Sequence, residues 1–456
     1  MKKTHPIREL MNEEGLTSLS VSHDWRTGRV CWRAGYEWDG SMPWSAYQKT
    51  FTFESCLAES PRFYGHEAVL EMFRARGIEP VREKIEELLK AGRHQGIDFY
   101  RESSLDITFM NNMHANILGI KNGRHAIRAG GIRRHPLSDP ELEVIVDGLN
   151  LARAMSFKNA AAEIPFGGCK CTVHSEEIPL TDLARLGFLA YCLDRSRFFT
   201  GPDMGFLPEL SDVFHDHFTD NITGGKKGPL GPTGTPTAYG VYLAIKAAAE
   251  FRYGDAHLRG KKVLVQGLGA VGFPLTELLI KKERCSLMVS DVDETVVKRL
   301  LDAFPEADIT VVSPEAVLDT PAEIFAPCAM GGIISEAEIP RLQYDIIFGS
   351  ANNVLAAHSQ EEEIALAKRL AARGILYQVE WVHNIAGVMA GYEEYTRGKE
   401  ADRKRLYAHI ERVCGEGVLR NLKEAGRLGM TPTEYAYRKI ESRIYPDLTP
   451  SPEMVR

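Results

Sequence analysis

The stretch GKKVLVQGLGAVG, residues 260–272, decides how this chain folds. Within it Lys262–Gln266 is a short apolar run, bounded and composed as a buried strand is. The run leads into Gly267, Gly269 and Gly272, spaced Gly-x-Gly-x-x-Gly, and then into a helical stretch. Alone, that spacing is a weak signal. Its surroundings strengthen it, because a second strand, Ser286–Ser290, ends in Asp291, about twenty residues past the turn. The first glycine permits a tight turn and the second lets backbone approach a pyrophosphate. The helix N-terminus offers unpaired N–H groups and the positive end of its dipole. An acid at Asp291 would accept hydrogen bonds from ribose hydroxyls, so the stretch reads as a dinucleotide site on a parallel sheet.

Outward from there, further short apolar strands fall at residues 309–312, 324–326, 345–348 and 375–379, alternating mostly with helical stretches. Six strands joined by crossovers predict a doubly wound parallel sheet. The C-terminal ends of such strands bind ligand, which marks Ala329, Asn352 and Asn384. A Gly/Pro/Lys-rich segment, residues 224–236, precedes this region and suits a hinge.

Upstream lies MSFKNAAAEIPFGGCKCTV, residues 155–173, with Lys158 and Lys170 on either side of an apolar turn that ends in Gly167 and Gly168. Most lysines are solvated and most Gly-Gly pairs are turns. Here, however, Lys158 stands one turn beyond the stripe Leu142, Ile145, Val146, Leu149, Ala152 and Met155 of a helix opened by Ser138, Asp139, Pro140 and Glu141. Glycines just before Lys170 remove the side chains that would crowd its approach to a small ligand.

MSFKNAAAEIPFGGCK resembles the active-site segment of the glutamate/leucine/phenylalanine/valine dehydrogenase superfamily, and the likeness recurs in order over about residues 105–405. It implies an α/β protein: a two-domain amino acid dehydrogenase with a substrate domain and a Rossmann-type doubly wound parallel sheet, plus an N-terminal extension. The expected division is 1–100 extension, 101–231 substrate-binding and catalytic, 232–391 NAD-binding, and 392–456 helices packing back on the substrate domain. By the resemblance Lys158 holds the substrate carboxylate, Lys170 is catalytic, and Asp203, in RFFTGPDMG, is the catalytic acid-base residue. Gly130 and Gly131 of AGGIRRHP line the substrate pocket, and Asn384 lies near nicotinamide and substrate. Gly267, Gly269, Gly272, Asp291, Ala329 and Asn352 are the expected cofactor contacts, with NAD the cofactor.

Three departures bear on substrate. Glutamate-specific members carry a lysine where Ala129 stands, and a polar glutamine is common there at the place of Met155, which points to the leucine/phenylalanine branch and an apolar amino acid. His383, Asn384, Ile385, Ala386 and Gly387 replace the usual Asn-Ala-Gly-Gly and put the geometry of that loop in question. The Arg-x-His-Pro ending of AGGIRRHP and the chain length favour a glutamate dehydrogenase instead. A non-catalytic nucleotide-sensing or scaffolding relative is a third reading. Family members assemble as rings or stacked rings, so a homo-oligomer is implied.

The chain's 456 residues exceed one compact core. A net charge of −7 gives no case for nucleic acid or a membrane surface as partner, and no apolar run reaches the ~20 residues of a membrane span. MKKTHPIRELMNEEG has no apolar segment after its lysines, so a secretory signal is not expected. Eight scattered cysteines read as free thiols of a cytoplasmic protein, and Cys169 and Cys171 lack the companions a metal site requires.

Overall fold

In the computed structural model, which describes residues 4–52, 54–115 and 126–445, the chain forms two compact units. The first comprises Met1–Ala160, Ile164–Gly231 and Gly391–Ala401, and the second Ala161–Glu163, Pro232–Ala390 and Asp402–Arg456, in each case over the described residues. A turn expected at Lys121, Asn122 and Gly123 lies outside them.

The strands of the first unit are β1 (Ser18–Asp24), β2 (Arg29–Tyr36), β3 (Arg62–Tyr64), β4 (Gly96–Glu102), β5 (Ile107–Met113), β6 (Arg128–Ala129), β7 (Ile132–His135), β8 (Gly167–His174) and β9 (Phe198–Phe199). Among the described residues they make one nine-stranded sheet in the order β3-β2-β1-β4-β5-β8-β6-β9, with β7 also on β8. The first hundred residues, expected to be an extension, therefore supply four strands of the main sheet. Their helices, His66–Ala75 and Glu79–Ala91, are separated at Gly77, whose φ is +64°, and Pro80 sits in the first turn of the second. Trp32, Phe73 and Phe99 share a core with Met110 of β5 and Val144, Ile145 and Leu149 of the helix Glu141–Ala161.

The alternation of β8 positions everything that follows. Cys169, Cys171 and Val173 point into an apolar core with Phe188, Leu189 and Phe198. Lys170, Thr172 and His174 take the opposite face, which the helix Glu141–Ala161 covers. That helix lies very close to the sheet. A methyl group at Gly148 would stand 2.3 Å from Asn112 Nδ2, and one at Gly168 would stand 2.1 Å from Ser156 N and 2.6 Å from Ala152 O. Asn159 pins the end of the helix by donating to Gly167 O at 2.9 Å and Ala129 O at 3.3 Å. Glu141, expected to cap its own helix, is fully buried and accepts from Ile7 N at 2.7 Å and Arg8 N at 3.0 Å. It caps the helix Pro6–Glu14 instead, whose N-cap His5 makes no side-chain capping bond.

The second unit contains β10 (Lys262–Gln266), β11 (Ser286–Ser290), β12 (Ile309–Val311), β13 (Ile324–Pro327), β14 (Ile346–Ile347) and β15 (Leu376–Tyr377). All pair in parallel, in the order β12-β11-β10-β13-β14-β15, as the alternation of strands and helices predicts. The C-terminal stretch expected to pack back on the first domain divides instead. Gly391–Ala401 belongs to the first unit, whereas the helices Arg403–Ile410, Val418–Arg427 and Pro432–Ile444 belong to the second. The reason is the apolar stripe Val418, Leu422 and Ala425, which is buried where its helix packs on Gly234–Tyr253.

The contact at Gly168 gives a stability prediction. Because a Cβ there meets backbone, which cannot rotate away, Gly168→Ala should destabilise the protein by about 1–3 kcal/mol or more. Thermal unfolding should show it as a drop in Tm of several degrees, whereas alanine at Gly254, where nothing lies within 4 Å, should meet no clash and show only the smaller cost of its positive φ.

Candidate functional site

The only cation on β8 among the described residues is Lys170, whose side chain is 6% exposed. A charge so enclosed needs a partner, and its Nζ pairs with Asp203 Oδ2. Asp203 lies after β9, where the chain runs alongside β6 and β7: Gly130 N donates to Phe199 O, Ile132 N to Gly201 O and Arg134 N to Met204 O. Between β6 and β7 sit Gly130 and Gly131, and the first is required because a side chain there would meet backbone. A methyl at Gly130 would fall 1.8 Å from Cys169 O, and one at Gly131 would fall 2.7 Å from Lys170 Nζ.

Lys158 occupies the last turn of Glu141–Ala161, half-buried and next to the pinning Asn159. Ala129 is 2% exposed in β6, and Met155 lies beside Gly130, its Cγ 3.4 Å from where a Cβ would stand. Cys169 is fully buried, as expected of a small hydrophobe, and its thiol donates to Asn111 Oδ1.

Three more side chains join this pair: Asp147, not singled out in the sequence, and Arg133 and His135, read there only as part of the Arg-x-His-Pro ending. Arg133 Nη2 lies 3.3 Å from Asp203 Oδ2, and its Nη1 donates to both oxygens of Asp147 at 3.1 Å. His135 Nε2 stands 3.1 Å from Asp147 Oδ2. Burial pushes the Asp203 carboxyl up, but Lys170, Arg133 and the Met204 N–H outweigh it and hold the group below the usual carboxylate range. Asp147 is likewise raised by burial and brought below that range by His135, Arg133 and Lys170. His135 is lifted above the ordinary imidazole value, chiefly by its hydrogen bond to Asp147 against the opposing effect of burial. The signal was present in AGGIRRHP as two polar side chains two residues apart, but only the pairing of β7 with β8 brings them under the helix.

In the second unit the glycine turn has the geometry a dinucleotide requires. Gly267 takes φ +89°, a methyl at Gly272 would stand 1.8 Å from Gly267 O, and the space around Gly269 is open. Asp291 Oδ2 accepts from Leu268 N at 2.6 Å and Oδ1 from Asp293 N at 2.9 Å, so the turn and the acid are one hydrogen-bonded piece. Ala329 faces the same turn, its N 2.8 Å from a methyl placed at Gly267. Asn384 Nδ2 donates to Ser350 O and to Asn352 Oδ1, both at 3.1 Å, which joins two expected ligand contacts from separate strand ends. The bulkier Ile385 is fully buried. These residues fit a nicotinamide dinucleotide. Among the described residues no group of His, Cys, Asp and Glu could hold a metal ion, and no helix is long and apolar enough to cross a membrane.

No protein-family model matches the chain. It is 32% identical to a phenylalanine dehydrogenase of Lysinibacillus sphaericus over 328 residues, covering 69% of this chain and 81% of that protein. A leucine dehydrogenase of Thermoactinomyces intermedius is 33% identical over 320 residues, covering 69% and 83% respectively. The crystal structure of L-tryptophan dehydrogenase from Nostoc punctiforme superposes with a TM-score of 0.65 at 30% identity, over 78% of this chain and 98% of that one. With a glycine-gated, ion-paired lysine in one unit and a dinucleotide turn in the other, the chain belongs to the glutamate/leucine/phenylalanine/valine dehydrogenase superfamily, in the branch of oxidoreductases that act on the CH–NH2 group of apolar amino acids.

Proposed function

We propose that this chain oxidises an apolar L-α-amino acid with NAD, releasing ammonium and the 2-oxo acid, and that Lys170, Asp203 and Lys158 carry the protein's part of the reaction. The observation that supports it most is the ion pair of the enclosed Lys170 with Asp203, beside the glycine pair Gly130 and Gly131. NAD, held by Gly267, Gly269, Gly272 and Asp291, would supply the hydride acceptor for the substrate's α-carbon. Lys158 holds the α-carboxylate, and Gly130 and Gly131 leave the backbone room for it. Asp203 takes a proton from the substrate nitrogen. Lys170 activates the water that adds to the resulting iminium carbon and stabilises negative charge developing on its oxygen. A proton then returns through Asp203 to the nitrogen as ammonium leaves.

Ala129 and Met155 favour an apolar side chain, since neither offers a partner to a distal carboxylate. The Arg-x-His-Pro feature that favoured a glutamate enzyme is accounted for otherwise: Arg133 and His135 are both engaged with Asp147. Asp291 favours NAD over NADP, because a carboxylate accepts from two ribose hydroxyls and repels a 2′-phosphate. A cytoplasmic homo-oligomer is part of the same reading.

Two measurements test the assignment. Lys170→Ala should lower kcat by about 10²–10⁴-fold, whereas Lys158→Ala should raise KM for the amino acid by about ten- to a hundredfold. A folded Lys170→Ala protein with near wild-type kcat would refute the mechanism. For the cofactor, kcat/KM with NAD should exceed that with NADP by at least about tenfold, and Asp291→Ala should narrow the ratio. Preference for NADP in the unaltered protein would show that Asp291 plays another part.

A further inference from the structure

On the helix-covered side of β7 both polar side chains end on carboxylates. Arg133 is divided between Asp147, which it grips through both oxygens at 3.1 Å, and Asp203, at 3.3 Å. His135 reaches Asp147 through Nε2 at 3.1 Å and Asp139 through Nδ1 at 3.0 Å. Lys170, Asp203, Arg133, Asp147, His135 and Asp139 thus form a chain of alternating charge. It runs from a lysine side chain 6% exposed to an aspartate 39% exposed. We infer that Arg133 and Asp147 are positioning residues of the deamination site: Arg133 keeps the Asp203 carboxylate charged and aimed at Lys170, and Asp147 competes for Arg133 and so sets how much of its charge Asp203 receives. The inference rests on Asp203 acting as the base on the substrate nitrogen, as proposed above.

The arrangement leaves little else to supply this control. Asp203 is faced by Lys170 from β8 and Arg133 from β7, and it accepts from its neighbour's Met204 N–H at 2.8 Å. Asp147, on the helix, is faced by Arg133 and His135 of β7, and it also feels Lys170. The next titratable side chain on β8, His174, is held neutral at ordinary pH, its value lowered to about 4 by burial first and then by His5 and Arg8. An arginine gripping one carboxylate through both oxygens while touching another has its position fixed by the first and its charge shared with the second.

The two residues therefore push the site in opposite directions. Without Arg133, Asp203 loses a cation and protonates at higher pH. Without the charge of Asp147, Arg133 belongs to Asp203 alone, which then stays ionised to lower pH. The test is the pH profile of kcat/KM for the amino acid in the full-length protein with NAD. The acidic limb should move up by about one pH unit or more in Arg133→Met, return part of the way in Arg133→Lys, and move down in Asp147→Asn. The position of a limb does not depend on what fraction of the protein is folded, so partial misfolding would not imitate this result. Limbs that stay in place, or move the same way in both variants while Asp203→Asn is inactive, would overturn the inference and leave the functional reading standing. An Asp203→Asn protein with near wild-type kcat would overturn both.

Discussion

Burying the ammonium of Lys170 on an interior strand is the constraint from which the first unit follows. An uncompensated charge in such a place costs several kcal/mol, so an anion must come to it. Asp203 does, carried there by the parallel run of the chain beside β6 and β7. The strand between them can pass only as glycine, and the helix that covers the lysine's face can approach only over Gly148 and Gly168. The closeness of that helix in turn brings Asp147 over Arg133 and His135, and places Lys158 in the last turn.

The second unit uses glycine for another purpose. At Gly267 the need is a positive φ, at Gly272 the closeness of helix to strand, and at Gly269 an open backbone for a ligand to approach. Asp291 is tied into that turn by Leu268 N, so an acid that would select the ribose is held by the same backbone that would hold the phosphates. In the altered loop the Asn384 amide donates to Asn352 and Ile385 is buried.

The parallel sheet was legible because each strand is local: an apolar run, a glycine or acid at its end, a helix after it. Strand boundaries were less so, and β14 and β15 are two residues each where four and five were expected. Lys158, Lys170 and Asp203 were singled out through motif context, as were the glycines beside them, and the structure pairs Lys170 with Asp203. The meeting of Arg133 and His135 with Asp147 was not legible, because it depends on a parallel pairing across about forty residues and on which face of a helix lands on it, neither of which leaves a periodic trace. The first hundred residues were missed as part of the main sheet for the same reason: β1 pairs with β4 across a pair of intervening helices. The C-terminal helices carry an amphipathic stripe, but a stripe does not say which core it will meet.

Which amino acid the protein deaminates is the most direct test of the proposed site. On the proposed reading Ala129 and Met155 face the substrate side chain, and burying a distal carboxylate there unpaired would cost several kcal/mol, about a thousandfold in affinity. Initial NAD reduction rates with leucine, valine, phenylalanine, tryptophan and glutamate at matched concentrations measure it. One of the four apolar amino acids should be fastest and glutamate slower by orders of magnitude. Glutamate as the fastest substrate would contradict the account.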